Sequence, residues 1–171
     1  GILLSPSISK CVKNFVAVSE RIMLLRLANT PVDINIIQVY APTADKKNDE
    51  EVERFYEQLS EVLSLTKKEE INIVMGDFNS KVGQGKINDI VGQFGLGVRN
   101  DRGDRLVQFC QEENLVILNT FFKLPPRRLY TWVSPQDNAG KIVRNQIDFL
   151  LVNKRFRNSF VSVKTYPGAD I

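Results

Sequence analysis

The chain has 171 residues, of which 43% are apolar and 25% are charged, with 10 glycines and 7 prolines. This composition excludes collagen-like, low-complexity and fully disordered proteins, and the length is sufficient to bury one substantial core. The net charge of +3 divides unevenly, because residues 1–85 carry 10 basic and 12 acidic side chains whereas residues 86–171 carry 13 and 8. The sequence contains no histidine, which excludes every mechanism that needs an imidazole from within this chain.

The sequence predicts an intracellular protein without a membrane span. Apolar runs such as 22–25 and 149–152 are far shorter than the roughly 20 residues that a membrane helix needs. The chain does not open on a basic region followed by an apolar stretch, so we expect no signal peptide. Cys11 and Cys110 are 99 positions apart on predicted apolar faces, which favours two free core thiols in a reducing compartment over a disulfide.

Short runs of aliphatic and β-branched residues, bounded by turn residues, predict the strands of this chain. They lie at residues 14–18, 22–27, 33–40, 71–75, 115–118, 129–133, 147–152 and 159–164. Short turns join the first three, and Pro42 ends the third because proline cannot donate a hydrogen bond to a strand ladder. Gly76 closes the fourth.

Two helices are predicted between these strands. Residues 49–65 have one apolar stripe at helical spacing, and Asn48 with Glu51 has the spacing of a capping box at its start. After a loop with six glycines at 80–103, a second helix is expected from Asp101 or Asp104 to about Glu113. Strands with helices between them, without repeats or a linker, indicate a single α/β or α+β domain with mixed sheets.

Two candidate sites follow apolar strands in the first half of the chain. Tyr40 ends the strand 33–40, which places a phenol at a sheet rim; a tyrosine finishing a strand at a wet edge is the alternative. Asp77 and Asn79 follow the strand 71–75 and would share one side of an extended chain. The carboxylate could take a proton from water or bind Mg²⁺, and the amide could donate to a phosphate oxygen. The alternative is a turn closed by Asx hydrogen bonds.

Two further candidate sites lie in the basic second half. Trp132, the only tryptophan, lies within residues 123–164, where nine basic side chains accompany two acidic ones. Aromatic and cationic groups together suit stacking and phosphate contact, although a lone tryptophan is more often a core anchor. Asp148 lies in the apolar strand 147–152, and a buried carboxylate is costly unless it is paired. Asp148 therefore needs a partner, and the usual partners of a catalytic aspartate are a histidine, an arginine or a metal.

Four short motifs follow one another along the chain: Val39-Tyr40-Ala41-Pro42, Gly76-Asp77-Phe78-Asn79, Thr131-Trp132 and Asn145-Gln146-Ile147-Asp148-Phe149. In this order and strand placement they resemble the endonuclease/exonuclease/phosphatase superfamily, the fold of deoxyribonuclease I and the apurinic endonucleases. Residues 1–171 resemble in particular the endonuclease domains of LINE-type retrotransposons. The resemblance implies a four-layer α/β sandwich of two mixed β-sheets flanked by helices. It also implies Mg²⁺-dependent (or Mn²⁺-dependent) hydrolysis of a DNA phosphodiester.

The resemblance also implies a role for each matching residue. Asp77 would orient or deprotonate the attacking water and bind the metal together with Asn79, which would also hold a phosphate oxygen. Tyr40 would support the charge that builds on the phosphoryl group, and Asp148 would orient a catalytic histidine. The contacts to DNA would come from residues of the basic half: Thr131, Trp132, Arg127, Arg128, Arg144 and Asn145.

The chain departs from the family pattern at both ends. The family has an early asparagine and a metal-binding glutamate on strands that precede anything here, and residues 168–171 resemble the run that leads into its Ser-Asp-His. We therefore interpret residues 1–171 as the central and C-terminal part of one domain that is incomplete at both termini. Metal binding by one carboxylate and one amide would be weak, so we expect this chain alone to be inactive or nearly so.

Two other functions stay open at this point. A phosphomonoesterase of the same superfamily would act on a small substrate, although the basic second half favours a polymer. A non-catalytic scaffold or protein-binding domain would be consistent with the lack of histidine. DNA is the expected partner, which implies a nuclear location, and the sequence identifies no protein partner.

Overall fold

The computed structural model describes residues 1–43, 49–138 and 140–166. The strands in these ranges are β1 (Val12–Ala17), β2 (Ile22–Leu27), β3 (Ile34–Tyr40), β4 (Ile71–Asp77), β5 (Leu115–Ile117), β6 (Trp132–Val133), β7 (Arg144–Asn145) and β8 (Asp148–Asn153). The helices are α1 (Pro6–Ser9), α2 (Asp49–Ser64) and α3 (Asp101–Glu112). Short 3₁₀ turns occur at Leu118–Phe121, Pro126–Arg128 and Lys154–Ser159.

Six strands form one mixed sheet in the order β1–β2–β3–β4–β8–β5, and β6 pairs with β7 in a separate two-stranded sheet. β3 and β4 run parallel, whereas the other neighbours are antiparallel. A parallel pair needs a crossover connection, and the segment that carries α2 provides it. The predicted α/β class, with mixed sheet pairing and flanking helices, is confirmed. Within the described ranges the second sheet consists of β6 and β7 alone.

The main core lies between one face of the sheet and the two long helices. α2 buries one stripe of side chains at helical spacing, as predicted: Val52, Phe55, Tyr56, Leu59, Val62 and Leu63. α3 adds Leu106, Phe109 and Cys110 to the same cluster. The sheet contributes alternate residues such as Ile37 and Val74, because successive side chains of a strand point to opposite faces.

The opposite face of the sheet is apolar as well. Leu25 pairs with Ile36, Ile36 with Ile73, and Ile73 with Val152, so one apolar row crosses four strands. A smaller cluster around Val152 and Leu118 covers part of this face. Apolar runs without polar alternation are typical of strands that carry apolar side chains on both faces. On β3 and β4 this face becomes polar towards the strand ends, at Gln38, Tyr40 and Asp77.

Two strand predictions are wrong in part or in whole. Of residues 129–133 only β6 is a strand, because the N–H of Leu129 is used by the 3₁₀ turn at Pro126–Arg128. Residues 159–164 form no strand: Ser159 ends the 3₁₀ turn at Lys154–Ser159, and residues 160–164 are irregular. Cys110 is a core thiol as predicted, whereas Cys11 is only half-buried and lies outside the core clusters.

Two other predictions concern residues outside the described ranges, namely the capping residue Asn48 and the run 168–171. The predicted loop at 80–103 is irregular up to the start of α3, with isolated bridges from Val91 to Ile87 and to Ile117. In the part of the chain that the structure describes, no helix has the length and apolar character needed to cross a membrane.

Candidate active site

Three of the predicted site residues lie in one row at the end of the sheet. Tyr40, the last residue of β3, pairs with Asp77, the last residue of β4, and Asp77 pairs with Asp148, the first residue of β8. Residues paired in register point to the same side of a sheet, so the phenol and both carboxylates share the face opposite α2 and α3. The side chain of Tyr40 is 51% exposed, which shows that this end of the sheet is open.

Gly76 allows β3 and β4 to end side by side at this row. Its φ of +145° lies in a region that residues with side chains rarely adopt. A Cβ atom at this position would lie 1.9 Å from the carbonyl oxygen of Val39, so any larger residue would push the two strands apart. Gly76 therefore does not close the strand, as the sequence suggested; it lies inside β4 and brings Asp77 next to Tyr40.

The surroundings of Asp77 favour the neutral form of its carboxyl group. Burial raises the pKa of Asp77 above its usual value and the facing Asp148 carboxylate raises it further, while the hydrogen bond from the N–H of Asn79 lowers it. Like charges on directly opposed residues of neighbouring strands repel each other. A cation placed between the two carboxylates would relieve this repulsion.

Asn79 does not continue the extended chain, so the prediction that it shares a strand side with Asp77 is wrong. Its φ is +47°, and its N–H donates to Oδ1 of Asp77 at 2.7 Å, which is the Asx turn that the sequence left open. Its Nδ2 donates to the carbonyl oxygen of Ala41 at 2.8 Å and so links the turn to the end of β3. An amide has two N–H donors and one oxygen, so this bond leaves polar capacity for a ligand.

Asp148 is held by its backbone. The N–H groups of Ile147 and Asp148 both donate to Oγ1 of Thr131, at 3.0 and 3.1 Å. Among the residues that the structure describes, no ion pair involves the Asp148 carboxylate, and the group opposite it is Asp77. The expected burial is also incomplete, because Asp148 begins β8 and is only half-buried. The hydroxyl oxygen of Thr131, predicted to contact substrate, is engaged by these backbone groups instead.

The hairpin formed by β6 and β7 lies directly beside Asp148. The N–H of Thr131 donates to the carbonyl oxygen of Asn145, and Trp132 pairs with Asn145 across the hairpin. Trp132 is 39% exposed, which excludes the alternative that it is a core anchor. Arg144 forms an ion pair with Asp137 at 3.0 Å, so its guanidinium is held close to the hairpin.

The basic residues near the hairpin are combined with aromatic rings. The guanidinium of Arg144 lies 5.1 Å from the ring centre of Tyr130, and that of Arg128 lies 4.9 Å from the ring centre of Tyr166. Arg128 and the exposed Arg127 belong to the 3₁₀ turn that leads to β6. The predicted basic and aromatic surface is thus contiguous in the chain with Thr131, which holds Asp148.

The residues of this site fit a weakly held divalent cation. Within the described ranges, no group of three or more histidine, cysteine, aspartate or glutamate side chains could hold a metal ion. Mg²⁺ is commonly bound through one or two carboxylates, with water and substrate phosphate as its remaining ligands. Asp77 and the oxygen of Asn79 are donors of this kind, and the raised pKa of Asp77 marks a carboxyl group that a cation would stabilise.

One residue that contacts β8, Asn119, is not among the site residues predicted from the sequence. Oδ1 of Asn119 accepts the N–H of Leu150 at 2.8 Å, and its Nδ2 lies 3.5 Å from the carbonyl oxygen of Asp148. Asn119 is only 8% exposed. The available signal was a polar residue directly after the apolar strand 115–118, which is too common a pattern to indicate a contact.

The mixed sheet and the polar row at its open end are those of the endonuclease/exonuclease/phosphatase class. The family model described as endonuclease-reverse transcriptase matches residues 34–169, and the chain belongs to this family. Craniofacial development protein 2 of Bos taurus is 45% identical over 152 residues, which cover 89% of this chain and 25% of that protein. The protein of the same name from Tragulus javanicus is also 45% identical over 152 residues, covering 89% and 26%. The chain thus spans about a quarter of the length of these relatives.

Solved structures show the same fold at low sequence identity. The endonuclease domain of TRAS1, a telomere-specific non-LTR retrotransposon, is 17% identical and superposes with a TM-score of 0.58 over 85% of this chain and 57% of that one. The AP endonuclease LMAP from Leishmania major is 14% identical, with a TM-score of 0.56 over 81% of this chain and 47% of that one. Both likenesses agree with the predicted deoxyribonuclease I-like fold.

Proposed function

We propose that this chain is part of a Mg²⁺-dependent endonuclease of retrotransposon origin that hydrolyses DNA phosphodiester bonds. The observation that carries the proposal is the register of Tyr40, Asp77 and Asp148. A phenol and two carboxylates thereby lie in one row at the open end of the sheet. An open surface of this kind admits a polymer, whereas small substrates are usually enclosed in a pocket.

Each residue of the row has a chemical role that its surroundings support. Asp77 acts on the attacking water, since a carboxyl group with a raised pKa is a better proton acceptor than an unperturbed one. The free donor of Asn79 holds a phosphate oxygen, and the exposed hydroxyl of Tyr40 lies where charge develops on the phosphoryl group. Asp148 orients a histidine, which the 171 residues do not contain.

Mg²⁺ or Mn²⁺, held by Asp77 and Asn79, would neutralise phosphate charge and lower the pKa of bound water. The DNA would lie along the basic half, where Arg127, Trp132 and Arg144 are exposed and Arg128, Thr131 and Asn145 are half-buried. A DNA substrate favours a nuclear location. A non-catalytic binding domain is the second candidate, and the absence of histidine from the sequence is the observation that favours it.

A plasmid-nicking assay tests the proposal. Supercoiled DNA is incubated in Mg²⁺ or EDTA with this chain and with a longer polypeptide that adds the flanking residues of its parent protein. We expect Mg²⁺-dependent nicking by the longer polypeptide, little by this chain, and a loss of about 100-fold or more in Asp77→Asn. Asp89→Asn is the matched control, because Asp89 is an exposed carboxylate that pairs with Lys154.

Three results would change the interpretation. Equal nicking by both polypeptides would show that a histidine is dispensable and that the role of Asp148 is wrong. DNA binding without cleavage by either polypeptide would favour the non-catalytic domain. Cleavage of a small phosphomonoester with no effect of salt on substrate affinity would favour a phosphomonoesterase, because several phosphate contacts make binding fall steeply with salt.

A further inference from the structure

The end of β8 that carries Asp148 lacks a strand neighbour on one side. β5 pairs with residues 151–153 of β8 and ends at Ile117, where a 3₁₀ turn begins. The backbone groups of residues 148–150 on that side would be left without a partner, although unpaired polar groups of the backbone are costly when they are shielded from water. Two side chains, Asn119 and Thr131, take the place of the strand.

The side-chain amide of Asn119 makes the hydrogen bonds that a neighbouring strand would make with this edge of β8. Its Oδ1 accepts the N–H of Leu150 at 2.8 Å, while its Nδ2 lies 3.5 Å from the carbonyl oxygen of Asp148. A backbone N–H can only donate, so the Asn119 atom at 2.8 Å must be the oxygen, and the amide orientation follows. The same amide thus contacts residues 148 and 150, whose backbone groups point towards the β5 side of β8.

We infer that Asn119 is a positioning residue that holds Asp148 opposite Asp77. Both polar backbone groups of Asp148 point away from β4, towards Thr131 and Asn119. Asp148 and Asp77 therefore form a non-hydrogen-bonded pair, in which Cα atoms approach to roughly 4.5 Å. On the β4 side the ladder holds this pair only through neighbouring residues, as in the bond from the N–H of Phe78 to the carbonyl oxygen of Ile147 at 2.9 Å. Asn119 and Thr131 add the contacts that fix the backbone of Asp148 itself on the side away from β4.

This inference deepens the proposed function, on which its catalytic meaning rests. The chemistry proposed for the row needs Asp148 to stay beside Asp77, and a frayed strand end would move it. Asn119 belongs to the 3₁₀ turn at Leu118–Phe121 and is only 8% exposed, so the packing of that turn holds its side chain in place. Its neighbour Thr120 is fully buried and bonds to Gly92 and Ile117 instead.

Backbone NMR of the full 171-residue chain tests the inference without any activity. In Asn119→Leu, which matches the size of the side chain but has no polar group, we expect the Leu150 amide to exchange about tenfold faster relative to the Val152 amide. We also expect a weaker cross-peak between the Hα atoms of Asp77 and Asp148, which is strong in a non-hydrogen-bonded antiparallel pair. Asn119→Asp keeps the acceptor oxygen, so protection of the Leu150 amide should be retained.

Thr120→Val is the matched control, because it removes two buried hydrogen bonds one residue away that do not involve β8. It should lower overall stability while leaving the Leu150-to-Val152 exchange ratio and the Hα cross-peak unchanged. Equal exchange ratios in Asn119→Leu and Thr120→Val would overturn the inference. In a nicking polypeptide, Asn119→Leu should lower kcat at an unchanged KM. A change in amide exchange without DNA cleavage by any form would uphold Asn119 and refute the proposed nuclease.

Discussion

Asp77 has a different kind of neighbour on each side of β4. The parallel strand β3 places the phenol of Tyr40 beside it, and the antiparallel strand β8 places a second carboxylate there. Burial and this carboxylate both disfavour ionisation of Asp77. A residue that destabilises its own fold at neutral pH is a common feature of functional sites.

The pH dependence of stability follows from the raised pKa of Asp77. The folded state binds its proton more tightly than the unfolded state, so this group lowers stability as pH rises from 3.8 through the folded pKa. Asp77→Asn should therefore raise the free energy of unfolding at pH 7, with the gain vanishing below pH 3.8. Denaturant unfolding over a pH series measures this.

Asp33→Asn provides a control of opposite sign. The hydrogen bond from Lys13 is the main reason that the pKa of Asp33 is lowered, so its ionised form stabilises the fold above the usual pKa of 3.8. This contribution is lost as pH falls through the lowered, folded-state pKa. Asp33→Asn should lower stability at pH 7, with the difference disappearing in acid. A gain from both substitutions would contradict the electrostatic account of Asp77.

Gly76 and Gly85 distinguish two reasons why a position needs glycine, namely a positive φ and a lack of room for a side chain. Both have positive φ, but a Cβ at Gly76 would meet Val39 at 1.9 Å whereas Gly85 has nothing within 4 Å. Gly85→Ala should cost only the backbone strain, about 1 kcal/mol, and Gly76→Ala about 3 kcal/mol or more, because strand separation is added. Equilibrium unfolding of both variants checks this. Similar costs would show that β3 and β4 tolerate a side chain at this position.

At the scale of elements, two arginines of α3 form ion pairs with α2: Arg102 with Asp49 and Arg105 with Glu53. Arg105 of α3 donates from Nε and Nη2 to the carboxylate of Glu53 on α2, at 2.8 and 2.9 Å. Its guanidinium also lies 4.4 Å from the ring centre of Tyr56. The side chain is only 19% exposed, so these contacts are shielded better than most surface ion pairs.

Arg105→Lys tests this connection while keeping the charge. A lysine cannot make the two parallel hydrogen bonds or stack on the ring, so the free energy of unfolding should fall by about 1 kcal/mol. Arg54→Lys, at an exposed arginine of α2, is the matched control and should change stability by less than about 0.5 kcal/mol. Indistinguishable urea midpoints for the two variants would show that the pair adds nothing beyond charge.

The sequence predicted some elements closely and others wrongly. β2 and α2 were predicted nearly to the residue, because strand and helix periodicity with apolar residues on one face determines them locally. Residues 159–164 have an apolar and β-branched pattern too, yet they form no strand, since strand formation needs a neighbouring edge. Asn79 was predicted to continue an extended chain, but its N–H donates to Oδ1 of Asp77 and the chain turns there.

At the scale of the whole molecule, charge separates along the chain. Residues 123–164 carry nine basic and two acidic side chains, and Arg127 and Arg128 lie on the turn that leads to the site. Lys67 and Lys68 lie at the opposite end of the sheet, between the end of α2 and the start of β4. Two basic pairs of equal charge thus lie at different ends of the molecule.

The two pairs predict different effects on DNA binding. Binding to duplex DNA, measured by fluorescence anisotropy from 50 to 200 mM salt, should show a slope of log affinity against log salt that falls by about 1 to 2 in Arg127→Ala/Arg128→Ala. The substitution pair Lys67→Ala/Lys68→Ala should leave the slope unchanged. Equal changes in both would mean that net charge, and not a surface beside the site, governs binding.

The sequence by itself determined the class of fold, most elements and the four motifs, because periodicity, turn residues and motif order are local properties of the chain. The tertiary structure decided how those motifs meet. The strand order places β4 between β3 and β8, and this puts Tyr40, Asp77 and Asp148 in one row although they are up to 108 positions apart. Contacts such as that of Asn119 with Leu150 depend on where β5 ends beside β8. No local sequence pattern encodes how two segments that are far apart in the chain lie next to each other.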